Sequence, residues 1–224
     1  MSAKALSIAV PELSLEVSGL LELPTDARAV YVLAHGAGAG MRHPFLEKIS
    51  QALAEAGMGT LRYQFPYMER GSGRTDSPEK CVATVSAAVT RARREAPGVR
   101  LVAGGKSFGG RMTSTAQSRA PLADVSGLAF LGFPLHPPGN PGITRAEHLD
   151  LVKIPMLFLQ GSRDEFAQGD LLEQVVARLK PRATLHVVDG GDHSFKVPKK
   201  QSTEAAVFQE LVTTITDWTD RSAR

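Results

Sequence analysis

Apolar residues along the chain fall into two kinds of run that alternate. Residues 29–34 (AVYVLA), 125–131 (VSGLAFL) and 154–159 (IPMLFL) are short and nearly all apolar, the mark of strands buried on both faces. Residues 58–63, 99–103 and 184–188 predict three further strands, and 6–9 and 13–21 two short leading ones. Between them the apolar positions take helical spacing. Pro44 opens a helix that runs to about Ala56 and stops at Gly57. Ser77-Pro78-Glu79 reads as cap, first turn and acidic dipole partner of a helix carrying Val82, Val85, Val89 and Ala92. A helix runs from the segment after Ser107 to about Arg119. Leu171, Leu172, Val175, Val176 and Leu179 predict another, with Asp170 and Glu173 placed as a capping box. Val207, Phe208, Leu211, Ile215 and Trp218 predict the last.

Strands joined by helices pair in parallel through right-handed crossovers. The expected fold class is therefore α/β, a three-layer αβα sandwich around a mostly parallel, eight-stranded sheet. The 224 residues fit one domain over 1–224. Ligands of such sheets bind beyond the carboxyl ends of the strands. His35, Ser107, Asp164 and His193 all fall just after predicted strands.

Composition narrows the function. Apolar residues make up 42% and charged ones 22%, which excludes collagen-like, disordered and membrane-spanning classes. Lys and Arg number 26 against 23 Asp and Glu. This balance, with no concentrated basic face, argues against nucleic acid as a partner. The first 24 residues are interrupted by Pro11, Glu12 and Glu16, so neither a signal peptide nor a membrane anchor is expected. A single cysteine, Cys81, excludes an internal disulfide framework and a Cys-rich zinc site and points to the cytoplasm.

Gly105-Lys106-Ser107-Phe108-Gly109 fits G-x-S-x-G between a strand and a helix. That turn raises the serine hydroxyl above the sheet at a helix N-terminus, where developing negative charge is favoured. A hydroxyl attacks only if an imidazole takes its proton and a carboxylate orients the imidazole. Ser107, Asp164 and His193 supply these groups in that chain order, with Glu165 and Asp192 as alternative acids. The oxyanion donors are expected from the N–H of Phe108 and from the small-residue loop 36–40, with Ala37 first and Gly38 as the alternative.

Two rival motifs fail on spacing. A phosphate loop needs a glycine where Arg100 stands, and Met41 occupies the last glycine position of a dinucleotide fingerprint. No His-x-x-x-His helix appears, so neither metal nor cofactor is expected. His35 reads as a brace of the glycine loop, His43 as a helix-entry residue, and His148 and His186 as structural or exposed.

The runs HGAGAGMRHPF (35–45), YQFPY (63–67), GGKSFGGRM (104–112) and GFPLHPPGNP (132–141) carry a resemblance. The chain resembles α/β hydrolases over nearly its whole length, in particular small lid-less members related to dienelactone hydrolases. Within these it is similar to a group of bacterial predicted hydrolases and the hydrolase-like domain of a chromatin acetyltransferase-complex subunit. The resemblance implies an α/β-hydrolase fold without a cap domain, with Ser107 as nucleophile, Asp164 as acid and His193 as base. Ser107 stands where dienelactone hydrolases use cysteine.

The short Pro-rich segment after residue 131 leaves no room for a helical cap, so an open, shallow site is expected. Its walls are expected from His35, Phe65, Tyr67, Lys106, His136 and Phe166, with Met68, Phe108, Phe133 and Leu135 as further apolar candidates. Arg70 and Arg74 stand in a polar loop where they either attract an acidic substrate or are solvated. The expected function is a serine esterase acting on a small, accessible carboxylic ester or thioester. The alternative is a non-catalytic interaction module on the same scaffold.

Overall fold

The computed structural model describes residues 3–222, so the first two and last two positions of the expected 1–224 span lie outside it. Strand β1 (Lys4–Val10) turns back through a 3-10 segment, Pro11–Leu13, into β2 (Leu15–Glu22). The others are β3 (Ala29–Ala34), β4 (Met58–Tyr63), β5 (Arg100–Lys106), β6 (Val125–Leu131), β7 (Met156–Gly161) and β8 (Ala183–Val188). They form one eight-stranded sheet in the order β1-β2-β4-β3-β5-β6-β7-β8. β2 runs against both β1 and β4, and from β4 to β8 all pairing is parallel.

The helices are α1 (Pro44–Glu55), α2 (Pro66–Glu69), α3 (Pro78–Glu95), α4 (Phe108–Arg119), α5 (Gly169–Leu179) and α6 (Glu204–Arg221). Alternation along each strand sends successive side chains to opposite faces. Tyr31, Leu33 and Leu159 therefore meet Ile49 and Leu53 of α1 and Ile215 and Trp218 of α6. Val30, Val32, Phe130 and Phe158 instead meet Val85 and Val89 of α3, Met112 of α4 and Val175 of α5. Two apolar layers thus sandwich the sheet, and together they fix where its strands end.

Four details depart from the sequence pattern. β5 continues three residues past Ala103, because Gly104, Gly105 and Lys106 still pair with β6. β7 begins at Met156 rather than Ile154, since Pro155 has no N–H for the ladder. The expected Asp170–Glu173 capping box does not form: α5 starts at Gly169 behind Gln168, with no side-chain cap. Asp170 lies in the first turn, where its charge suits the dipole. The four-residue α2 is too short for periodicity to reveal. Among the described residues, the β6–β7 connection carries only a 3-10 segment, Thr144–Leu151, and no cap domain.

Phe158 is fully buried on β7, with its ring centroid 4.9 Å from Phe130 and 5.7 Å from Phe133. Phe158→Ala should cost about 3–5 kcal/mol of stability, read as a shift in the urea midpoint. A loss under 1 kcal/mol would contradict the packing described.

Candidate active site

The carboxyl ends of β3, β5, β7 and β8 lie at one edge of the sheet, with β6 between β5 and β7, and each strand leads into one of the expected residues. β5 passes straight into Ser107, whose backbone takes φ 50° and ψ −116°. A non-glycine residue with positive φ is strained, and the surroundings must hold it there. They do so by crowding. A Cβ at Gly105 would collide with the Ala34 carbonyl of β3, and one at Gly109 with the backbone of Ala34 and His35. The turn sets Ser107 at the head of α4.

β8 ends at Val188, and the loop beyond it brings His193 Nε2 to 2.9 Å from Ser107 Oγ. His193 Nδ1 lies 2.7 Å from Asp164 Oδ2, in the loop after β7. The imidazole side chain is 22% exposed and the carboxylate 0%. Two further N–H donors meet the Asp164 carboxylate. Its Oδ1 accepts the Phe166 N–H at 2.8 Å, and its Oδ2 also accepts Gln160 Nε2–H at 2.5 Å.

The alternative acids are engaged elsewhere or exposed. Asp192 Oδ1 accepts the N–H groups of Ser194 and Lys196, and Glu165 points to solvent.

Gln160 was not anticipated. Its Oε1 accepts the Phe133 N–H at 2.9 Å while its amide holds Asp164, so it ties β7 to the β6–β7 connection. The available signal was a polar residue closing an otherwise apolar strand; at 2% exposure it had to find partners.

The backbone N–H groups of Phe108 and Ala37, the expected oxyanion donors, have no acceptor among the described residues. Gly38, the alternative to Ala37, already donates to Tyr67 Oη at 3.3 Å.

Several expected wall residues prove to be braces. His35, Phe65 and Tyr67 have no exposed surface. His35 Nδ1 bonds the Gly36 carbonyl at 2.8 Å, and its Nε2 accepts the Phe65 N–H at 3.1 Å. That arrangement needs the neutral ring, and burial pulls its pKa down to about 4. His136 is 3% exposed and accepts the Gln168 N–H. Their hydrogen bonds and ring edges are spent on loops, so they correct the expectation of a wall a substrate would touch. Phe166 stays beside His193, its ring centroid 4.3 Å from that of the imidazole. Lys106 bonds the His193 main chain. Arg70 pairs with Asp76 at 2.6 Å.

A second serine–histidine contact, Ser114 Oγ to His148 Nε2 at 2.7 Å, has a different character. Ser114 gives its proton to the Arg111 carbonyl, so His148 is the donor and has no lone pair to offer there. Burial and the nearby Arg111 charge hold the His148 pKa down at about 4.

An open groove of about 570 Å³ lies beyond loop 36–40, between β1–β2 and the start of α1, and neither Ser107 nor His193 lines it. Among the described residues no three His, Cys, Asp or Glu side chains group to hold a metal ion, and no helix is long and apolar enough to cross a membrane.

A family model described as alpha/beta hydrolase domain matches residues 27–220. Among solved structures, a dienelactone hydrolase from Anabaena variabilis superposes with a TM-score of 0.76 at 19% identity, covering 97% of this chain and 96% of that one. An α/β serine hydrolase without lid from Xanthomonas campestris gives 0.72 at 19%, covering 99% and 95%. An esterase from Pyrococcus furiosus gives 0.76 at 16%, covering 98% and 91%. At such identities the likeness concerns the fold.

The neutral His35 has a measurable consequence. Below about pH 6.5 the unfolded imidazole takes up a proton that the folded site refuses until about pH 4. Its stabilising contribution is complete above pH 6.5 and is lost as pH falls toward 4, at up to about 1.4 kcal/mol per pH unit. His148 adds a slope of the same sign, so urea unfolding between pH 7 and pH 4.5 should show a slope smaller in His35→Gln than in the wild type by up to about 1.4 kcal/mol per pH unit. Equal slopes would contradict a buried neutral ring.

Proposed function

Taking as premise that the chain belongs to the alpha/beta hydrolase domain family, we propose that it is a serine hydrolase cleaving a small carboxylic ester or thioester through an acyl-enzyme. The observation that carries this reading is the continuous hydrogen-bonded chain from the Ser107 hydroxyl through His193 to the buried Asp164.

In this reading His193 Nε2 takes the Ser107 proton as Oγ bonds to the substrate's carbonyl carbon. The imidazolium so formed is stabilised by Asp164, which keeps its negative charge. Negative charge moves to the carbonyl oxygen, for which Phe108 and Ala37 are the proposed N–H donors; Gly38 is less suited because its N–H already bonds Tyr67 Oη. Collapse of the tetrahedral intermediate expels the alcohol or thiol, which takes the proton from His193. Water then attacks the acyl carbon, giving its proton to His193, which returns it to Ser107 as the acid leaves. The uncapped β6–β7 connection supports access for small, diffusible substrates. The proposed compartment is the cytoplasm, a reading supported by the single free cysteine, Cys81.

A fluorophosphonate should label the native protein at Ser107 and leave Ser107→Ala unlabelled. An unlabelled native protein would overturn the assignment. Asp164→Asn should keep KM for p-nitrophenyl acetate near the wild-type value and lower kcat by about 10⁴-fold, because the acceptor that fixes the imidazole tautomer is replaced by an amide. A kcat within tenfold of wild type would remove Asp164 from the proposed role.

A further inference from the structure

Lys106 is the residue between Gly105 and the serine, and the mechanism above gives it no task. Its side chain is partly buried at the last position of β5. The stem runs beneath loop 36–40: a Cβ placed on Gly36 would lie 3.7 Å from its Cγ. The ammonium then passes Gly132, where a Cβ would lie 3.0 Å from Nζ and 3.4 Å from the His193 ring. It ends as donor to the His193 carbonyl at 2.6 Å, with the Phe195 ring centroid 5.7 Å away. Among the described residues this carbonyl is its only hydrogen-bond acceptor.

The loop that carries His193 is tied within itself through Asp192, whose N–H bonds the Lys196 carbonyl at 3.1 Å and whose carbonyl accepts the Phe195 N–H at 2.9 Å, and Lys106 ties it to β5. Upstream, Arg163 N–H bonds the Gly191 carbonyl at 2.8 Å. Downstream, Phe195 is 4% exposed and stacks on Phe45. Between these points His193 hangs from a turn in which Phe195 takes φ 60°. Lys106 holds the carbonyl side of the 193–194 peptide, whose N–H is held by Asp192 Oδ1 at 2.8 Å, and it does so from the residue joined to Ser107. The charged groups facing the ammonium are Asp164 and Asp192, which favour it, while burial pulls its pKa down to about 8.

We propose that Lys106 is a positioning residue for the base: by holding the His193 carbonyl from the peptide beside Ser107, it sets the imidazole-to-hydroxyl distance on which proton transfer depends. This rests on the serine-hydrolase reading. It assigns no bond-making step to Lys106 and no contact with substrate.

Lys106→Met keeps the stem and removes the donor and the charge, and Lys106→Gln keeps a neutral donor on a shorter arm. Rates are taken per fluorophosphonate-reactive site, with p-nitrophenyl acetate as substrate. A misplacement of about 1 Å costs about 100-fold, so kcat of Lys106→Met should fall about 100-fold with KM within about threefold. Phosphonylation should slow in parallel, and Lys106→Gln should lie between Met and wild type. The low-field proton resonance of the His193–Asp164 hydrogen bond should broaden or shift in both variants.

A folded Lys106→Met with wild-type kcat and labelling rate would overturn the proposal. So would a KM rise at unchanged kcat, which would make Lys106 a substrate contact. Should Lys106→Met fail to fold, Lys106→Gln decides by the same criteria. Unfolding of both would assign the residue to stability and overturn the positioning role. A wild-type protein that takes no label at Ser107 fails one step earlier, on the hydrolase reading, and is distinguished by needing no variant.

Discussion

β5 is squeezed between β3 and β6 so closely that Gly104 and Gly105 have no room for a side-chain carbon. That crowding is the constraint from which the arrangement at Ser107 follows. Because the strand stays paired through Lys106, the chain must reverse sharply at Ser107 to enter α4, and the reversal forces positive φ on a serine. The strain persists because two apolar layers hold the neighbouring strands in place. A looser sheet would let the turn relax and drop the hydroxyl among the other helix-cap groups.

The second feature of the site is how it handles buried charge. The Asp164 side chain has no exposed surface, and contacts from the His193 ring, Gln160 and the Phe166 main chain offset the loss of water around it. Lys106 sits within reach of the fields of Asp164 and Asp192. His35 is handled the other way: with one acceptor and one donor beside it, it remains neutral. One edge of the sheet therefore holds a buried carboxylate met by three donors, a partly buried ammonium and a neutral imidazole, each with partners set by its neighbours. Ser114 and His148 make the same point: the residue types match those at Ser107 and His193, but the proton is already committed.

Strand and helix alternation was legible because an apolar run with no polar face has few ways to be buried. Residues 29–34, 125–131 and 58–63 gave their strands at the observed limits. The failures were local. Asp170 and Glu173 have cap spacing, but the chain enters α5 one residue before Asp170. His35, Phe65, Tyr67 and His136 lie near the site, and sequence gave no means of telling a side chain facing the cleft from one turned under it.

The sequence by itself determined the order of strands and helices, the strand–turn–helix around Ser107, and the placement of Asp164 and His193 just after strands. Those are properties of neighbouring residues, fixed by steric period and turn chemistry. Only the tertiary structure decided that 86 residues of separation between Ser107 and His193 close to 2.9 Å. It also decided that Gln160 holds the acid, and that the lysine beside the serine reaches the loop of the histidine. Contacts of that range depend on how strands stack across the sheet and how far each loop reaches beyond it. No local pattern carries that information.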